Sequence, residues 1–327
     1  MSFFQKIKTP LLVLIIIALL GVIVYMFFFD KEPQAPKEQY EWESALEPEI
    51  IEYGGAQWTS NPNVTTVLIG GVDTVGKLNL SATEGGQVDV LMLLVVNSET
   101  KTVDIMQINR DTMTDITVLN ENYVKVGTAR AQIALSHSYG NGGTVSAKNT
   151  VESVENMLYG IDIDKYMFVN MDAIALINDF LGGIEVDVVD DFSAVDATIP
   201  KGEVKLNGTQ AMNFLRARMA LADPSNTARM ARHRQYMASL VQALKVCVTN
   251  ATDSPLQLYN SIYDYMVTSL SASELASLVA NTADYTTNDV IVPVGTFSEN
   301  TQLEEFNVDE GWLYNTVVSL FYRRIYE

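Results

Sequence analysis

The chain has 327 residues and a formal net charge of −19, from 40 acidic and 21 basic side chains. Self-repulsion at that charge favours solubility, and so acidic a balance leaves nucleic acid out of the expected partners. With one cysteine, Cys247, and two histidines, His137 and His233, there is no disulfide framework and no ligand set for a cysteine- or histidine-bound zinc.

In chain order, residues 1–10 read as a cytoplasmic tail. Leu11–Phe29 is an uninterrupted apolar run long enough for a bilayer core of roughly 30 Å. Lys6 and Lys8 precede it and Asp30, Glu32 and Glu38 follow, so the positive end is expected inside and the rest of the chain outside the cell membrane. A cleaved signal peptide would need a shorter core followed by small residues, whereas this run ends in Met26-Phe27-Phe28-Phe29-Asp30. Residues 30–60, with Pro33, Pro36 and Pro48 among many Glu and Gln, have the composition of a stalk. Residues 61–327 are expected to form one large extracytoplasmic domain without internal repeats.

Within that domain Val64–Val72, Val88–Val96 and Thr102–Asn109 read as three strands, ending respectively in Asp73, in a turn from Asn97, and in Arg110-Asp111. Paired as an antiparallel meander, they bring Asp73, Asp89 and Arg110 to one sheet edge. Two carboxylates beside arginines suit Mg²⁺, which takes one or two carboxylates and completes its shell with water and phosphate oxygens. The alternative is that Asp73 and Asp111 are turn residues and that Asp89 pairs structurally with an arginine. Ala131–Tyr139, Ser146–Tyr159 and Met171–Leu181 read as helices, the last two closed by Gly160 and Gly182. Strands at Lys165–Asn170 and Ile184–Val189 alternate with them. The fold class expected is α/β, a mixed central sheet with helices on both faces (α/β/α), preceded by one transmembrane helix.

Arg216, Arg218, Arg229, Arg232 and Arg234 then crowd into one short stretch of an acidic protein. Guanidiniums grip phosphate or carboxylate with a planar fork of donors and stay charged at any working pH. The cluster either neutralises nearby Asp and Glu or holds an anionic ligand. Asn207-Gly208 reads as a turn and Thr209–Phe214 as a short helix. Leu215–Met219 alternates apolar and Arg, a strand period that would put Arg216 and Arg218 on one face. Asp223-Pro224-Ser225-Asn226 is a loop, and Thr227 caps a helix running to about Val248, with Arg229, Arg232 and His233 on one face of its positive end. Ser271 with Glu274 forms a capping box for a further helix. Leu258–Val279 and Trp312–Tyr326 are rich in aromatic and aliphatic residues.

The ordered motifs GGVD, GGQVDVLMLLVVN, INRDT, QIALSHSYGNGG, VNMDAIALINDFLGGIEVDV, LNGTQAMNFLRAR and TARMARHRQ resemble those of the LytR–CpsA–Psr family of bacterial cell-envelope proteins, over about residues 64–245. The resemblance implies a membrane-anchored transferase with an external α/β/α domain. Such an enzyme moves an anionic glycopolymer, such as teichoic acid or capsular polysaccharide, together with one phosphate from a polyprenyl-pyrophosphate carrier to a peptidoglycan acceptor. It also implies Mg²⁺ on Asp73 and Asp89. Arg110, Arg216, Arg218 and Arg229 would contact pyrophosphate, and His233, where the family usually has Gln, would keep a polar ligand contact. Apolar helices at Leu258–Val279 and Trp312–Tyr326 would wall a polyprenyl tunnel, although ordinary core packing explains them equally well. The base for the acceptor hydroxyl would be Asp111 or Asp223. Three departures from the family stand out: Gln87-Val88-Asp89 where Arg-Ser-Asp is common, Gln132 where Lys is frequent, and no Asp just ahead of Arg229. The first motivates a second reading, a non-catalytic polyprenyl-(pyro)phosphate binding module; a hydrolase of the same lipid, with water as acceptor, is a third.

Overall fold

A computed structural model of the protein describes residues 50–78, 85–250, 255–298 and 304–326. The apolar run Leu11–Phe29 lies outside the described residues, and among those no helix is long and apolar enough to cross a membrane. The centre is a six-stranded mixed sheet built on the expected meander. Val64–Val72 (β3) pairs antiparallel with Val88–Asn97 (β4), which pairs antiparallel with Thr102–Ile108 (β5). Lys165–Asn170 (β8) lies parallel to β3, and the short strands Met266–Thr268 (β11) and Thr286–Thr287 (β12) close the two edges. A Cβ on Gly70 would stand 2.2 Å from the Phe168 ring. Only glycine lets β3 and the Phe168 side chain of β8 pack this closely.

Period-two alternation divides the strands' side chains between two cores. Leu68, Leu93, Val95, Met106 and Phe168 face the helices Thr144–Met157 (α1) and Glu310–Phe321 (α7), meeting Ala147, Val154, Leu313 and Val317. Their neighbours Val67, Ile69, Leu94 and Met167 face the opposite way, toward Met171–Phe180 (α2) and Pro255–Ile262 (α5), meeting Ala173, Leu258, Tyr259 and Ile262. Helices therefore cover both faces. Burial of such side chains stabilises by roughly 1.5–3 kcal/mol each.

A third core joins the hairpin Ile184–Val188 (β9) and Gly202–Leu206 (β10) to the helices Gly208–Arg216 (α3) and Asn226–Asn250 (α4), through Phe192, Phe214, Leu215 and Tyr236. Here the expected strand at Leu215–Met219 is corrected. Asn207 and Gln210 form a capping box that starts a helix, and Ala211, Phe214 and Leu215 bury its i, i+3, i+4 face. The helix runs through Arg216 and stops at Ala217, so the apolar/Arg alternation straddles a helix end. Five alternating residues were too few to specify a strand against a capped helix.

Other boundaries shift as well. The helix expected over Ala131–Tyr139 is the end of Lys125–Gln132 (β7) followed by a 3-10 turn, Ile133–Tyr139. β7 pairs with Met113–Leu119 (β6) in a hairpin that the sequence reading missed. α4 starts at Asn226, with Ser225 Oγ rather than Thr227 accepting the Ala228 N–H. Leu258–Val279 is not all helix, because β11 interrupts it before Ala272–Asn281 (α6). Past Phe321 the chain turns into Tyr322–Arg324 (β13). That strand pairs with Ala56–Ser60 (β2), which pairs with Ile50–Tyr53 (β1) in the last part of the 30–60 segment expected as stalk.

Candidate functional site

The meander places Asp73, Asp89 and Arg110 together as expected. In the β3–β4 ladder Gly71 pairs with Val90 and Val72 with Val88, so Asp89 is the extra residue of a β-bulge. Bulges re-aim a side chain. This one turns Asp89 between two guanidiniums: Arg110 Nη1 donates to Oδ1 in a short hydrogen bond, and Arg229 Nη1 donates to Oδ2 at 3.2 Å. All three side chains are largely buried, with 11%, 17% and 8% of their surface exposed for Asp89, Arg110 and Arg229. Arg110 also donates to Gln87 Oε1 at 2.6 Å, and the Gln87 carbonyl accepts the Asp73 N–H at 3.1 Å. Gln87 thus links the two aspartates through one arginine.

Asp111 follows, buried, its Oδ1 accepting from Gln132 Nε2 at 3.1 Å and its Oδ2 from Asn226 Nδ2 at 2.8 Å, with Arg110 Nε at 3.4 Å. Desolvation pushes its carboxyl above the ordinary carboxylate range, while Arg110, Arg218 and Arg229 pull the other way. Asp223 behaves oppositely. It is exposed, it accepts the Ser225 N–H at 2.9 Å, and hydrogen bonding from the Ser225 side chain and then from that N–H holds its carboxyl below the usual range. As a proton acceptor, Asp111 is therefore the better placed of the two aspartates, and Asp223 orders the loop before α4.

Arg216 and Arg218 stand on the last turn of α3 and just beyond it. Arg216 meets Asp73 at 3.3 Å, and Arg218 meets Glu304 at 3.3 Å and donates Nε to the Pro224 carbonyl at 2.8 Å. Their side chains stay 50% and 34% exposed, open to a ligand. The turn that carries them is capped from α4. Arg232 donates to the Phe214 and Ala217 carbonyls and to Asp190, and His233 Nε2 donates to the Leu215 carbonyl at 3.1 Å. These are carbonyls that a helix end leaves without partners. His233 is thus buried and committed to backbone rather than turned toward a ligand, and burial pushes its imidazole down to about 4. Arg234 donates to Gln107 Oε1 at 2.7 Å, tying α4 to β5.

Asn226 escaped the sequence reading. Its amide nitrogen binds Asn109 and Asp111, and its oxygen accepts from Arg229 Nη2 at 2.9 Å, so one side chain joins the acid to the arginine. Its position three residues before Arg229, one turn along a helix, was the available signal. Gln132 was noticed only as a departure, and its contact with Asp111 is what that position contributes. His137 was likewise unassigned. Its Nδ1 approaches the Gly85 carbonyl at 2.6 Å and steadies the loop that leads to Gln87.

At rest four guanidiniums, Arg110, Arg216, Arg218 and Arg229, face four carboxylates, Asp73, Asp89, Asp111 and Glu304. Among the described residues no three acidic, His or Cys side chains gather as a preformed metal cage. The cluster suits an anion whose phosphate oxygens take over the arginine donors.

A model of the LytR_cpsA_psr family matches residues 27–308. The chain is 34% identical over 157 residues to the polyisoprenyl-teichoic acid–peptidoglycan teichoic acid transferase TagU of Bacillus subtilis, covering 48% of this chain and 46% of that protein. It is 28% identical over 220 residues to the protein of the same name from Enterococcus faecalis, covering 67% and 66%. The matched segment spans about half the length of the first of these relatives. The crystal structure of B. subtilis TagV superposes with a TM-score of 0.61 at 24% identity, over 80% of this chain and 96% of that one. A structure of TagT bound to LI-WTA gives 0.62 at 20% identity, over 79% and 90%. At these identities the structural likeness establishes the fold.

Proposed function

The chain belongs to the LytR–CpsA–Psr family, and on that footing we propose that it transfers an anionic glycopolymer from a polyprenyl-pyrophosphate carrier to peptidoglycan. The names of its TagU relatives support that substrate class. The observation that carries the reading is the convergence of Arg110 and Arg229 on the bulged Asp89, with Arg216 and Arg218 exposed nearby and Asp111 buried beside them. On this reading Leu11–Phe29 anchors the chain and the domain faces outward.

Phosphoryl transfer depends on positioning and charge neutralisation more than on an intrinsic nucleophile. A pyrophosphate diester brings two negative charges to a cluster whose arginines and carboxylates already balance, so a divalent cation held there would restore neutrality. Asp73 and Asp89 fit Mg²⁺ as a pair of carboxylates completed by the ligand's own oxygens. When bound, the ion withdraws charge from the pyrophosphate oxygens. The arginines released from Asp73 and Asp89 hold the two phosphates, each charge-assisted hydrogen bond contributing on the order of 1.5–3 kcal/mol. Asp111 accepts the proton of the acceptor hydroxyl as its oxygen bonds to the phosphorus nearer the glycan. The phosphoanhydride bond breaks, and polyprenyl monophosphate leaves.

The full-length protein, incubated with a labelled polyprenyl-pyrophosphate glycan, Mg²⁺ and peptidoglycan fragments, should place label in the fragments. Free glycan would mean a hydrolase, and bound unreacted lipid a binding module. The binding-module reading rests on Gln87, which takes up a donor of Arg110 where the family commonly supplies another arginine.

A further inference from the structure

A cavity of about 350 Å³ lies beneath the β6–β7 hairpin, with Thr112 in its wall. That volume falls in the range of small-molecule sites, roughly 300–1,000 Å³. Its wall includes Thr112, Thr114, Arg130, Asn156, Tyr159 and Glu310, so it is polar, carries charge of both signs, and has one aromatic ring at its rim. Two observations show that this is more than a gap between elements. Thr112 is fully buried, yet its hydroxyl has no hydrogen-bond partner among the described residues. A buried hydroxyl left unpaired destabilises the fold until a ligand or water satisfies it. Arg130 stands opposite Asp115 in the β6–β7 register and is exposed.

The second observation is an aromatic row leading away from the cavity. Tyr159 packs edge-on against Tyr314 at 5.7 Å between ring centroids, Tyr314 against Tyr53 at 5.8 Å, and Tyr53 against Trp58 at 6.1 Å. Tyr159 and Tyr314 remain 47% and 36% exposed. Tyr159 also holds φ +59°, at a helix end where Gly or Asn is the cheaper choice. Rings with an apolar face and a polar tip suit ligands that are wet on one side and apolar on the other. Sugar rings, with C–H faces and hydroxyl edges, are such ligands.

We propose that the cavity and this row form the docking track for the acceptor, an amino-sugar glycan strand. Thr112 and the polar wall take hydroxyl and amide groups, and the tyrosines stack successive sugar faces. Thr112, in the cavity wall, is the chain neighbour of Asp111, the proposed base. The proposal rests on the transferase reading for its direction, but its binding site is independent of the arginines.

The test uses full-length protein and a tetrasaccharide of alternating N-acetylglucosamine and N-acetylmuramic acid, titrated by calorimetry. Tyr159→Asn, which suits the positive φ, combined with Tyr314→Ala should weaken tetrasaccharide binding about tenfold or more, a loss of roughly 1.4 kcal/mol or above. Affinity for a polyprenyl-pyrophosphate analogue should not change. Thr112→Val, which keeps the volume and removes the unpaired hydroxyl, should weaken the tetrasaccharide about five- to tenfold with its melting temperature retained. Equal tetrasaccharide affinity in these variants, or no tetrasaccharide binding by the wild type, overturns the track. Loss of analogue binding in the wild type would instead strike the transferase reading, while the tetrasaccharide titration still judges the track.

Discussion

Asp89 and Arg229 are 140 positions apart in the chain, and their side chains meet at 3.2 Å. The first is the bulged residue of a central strand, and the second lies on the opening turn of a long helix. Neither element alone makes an anion site. Their meeting, with Arg110 on the other carboxylate oxygen, sets the geometry of the cluster.

That geometry makes Asp89 a stability residue as well as a candidate magnesium ligand. Asp89→Ala leaves Arg110 and Arg229 buried without their shared counter-charge. A loss of about 3 kcal/mol is expected, in the range for breaking buried pairs. Inorganic pyrophosphate should restore more melting temperature in the variant than in the wild type, because it replaces the missing anion. An unchanged melting temperature for Asp89→Ala would show that the pairing carries no energy.

Asp73 separates the metal question from the fold. Its side chain is 46% exposed and its arginine partner 50%, so Asp73→Asn should scarcely move the melting temperature. Magnesium affinity in the presence of a pyrophosphate analogue should fall about tenfold or more, as one of two carboxylate ligands loses its charge. Calorimetry with unchanged magnesium affinity would rule Asp73 out as a ligand.

Asp111 should dominate the pH–rate profile. Burial holds its carboxyl above the ordinary carboxylate range, so the rate climbs with pH through that raised value and then levels off. Asp111→Asn should lower turnover by about 10²- to 10⁴-fold and erase the acid limb. Asp223→Asn should leave both nearly intact, since Asp223 is exposed and held on the Ser225 N–H. The reverse pattern in the two variants would reassign the base.

The central meander and the sheet edge were legible because long apolar runs bounded by turn residues leave little choice of structure, and the Ser271–Glu274 capping box of α6 because its spacing is local. The Arg216–Arg218 turn was not. A five-residue alternation cannot reveal that Asn207 starts a helix, or that Arg232 and His233, carried on another helix, cap its end. The roles of Asn226 and Gln132 were hidden for the same reason, since each is defined by a partner distant in the chain. The division of labour between Asp111 and Asp223 depends on burial, to which composition and spacing are blind.

His233 gives a prediction about acid stability. Its folded value, near 4, lies below the ordinary histidine value of 6.5. The unfolded chain therefore binds more protons between those values, and the native state loses stability as pH falls from about 6.5 toward 4. His137, also pushed down by burial, adds in the same direction. His233→Gln should flatten part of this slope, on the order of 2–3 kcal/mol across the window. Chemical denaturation at pH 7 and pH 4.5 checks it, and an equal slope in the variant would mean that His233 does not titrate as placed.

The arginine turn offers the most direct measurement. Arg216 is half-exposed and Arg218 one-third exposed, so Lys in their place keeps the charge and spares the fold while losing the planar fork. Each variant of the full-length protein is titrated with a polyprenyl-pyrophosphate analogue and Mg²⁺. Arg216→Lys and Arg218→Lys should each bind about 5- to 150-fold more weakly, a loss of roughly 1–3 kcal/mol, with melting temperatures near that of the wild type. Wild-type affinity in both variants would contradict a pyrophosphate site at this turn and leave the two arginines as surface ion pairs.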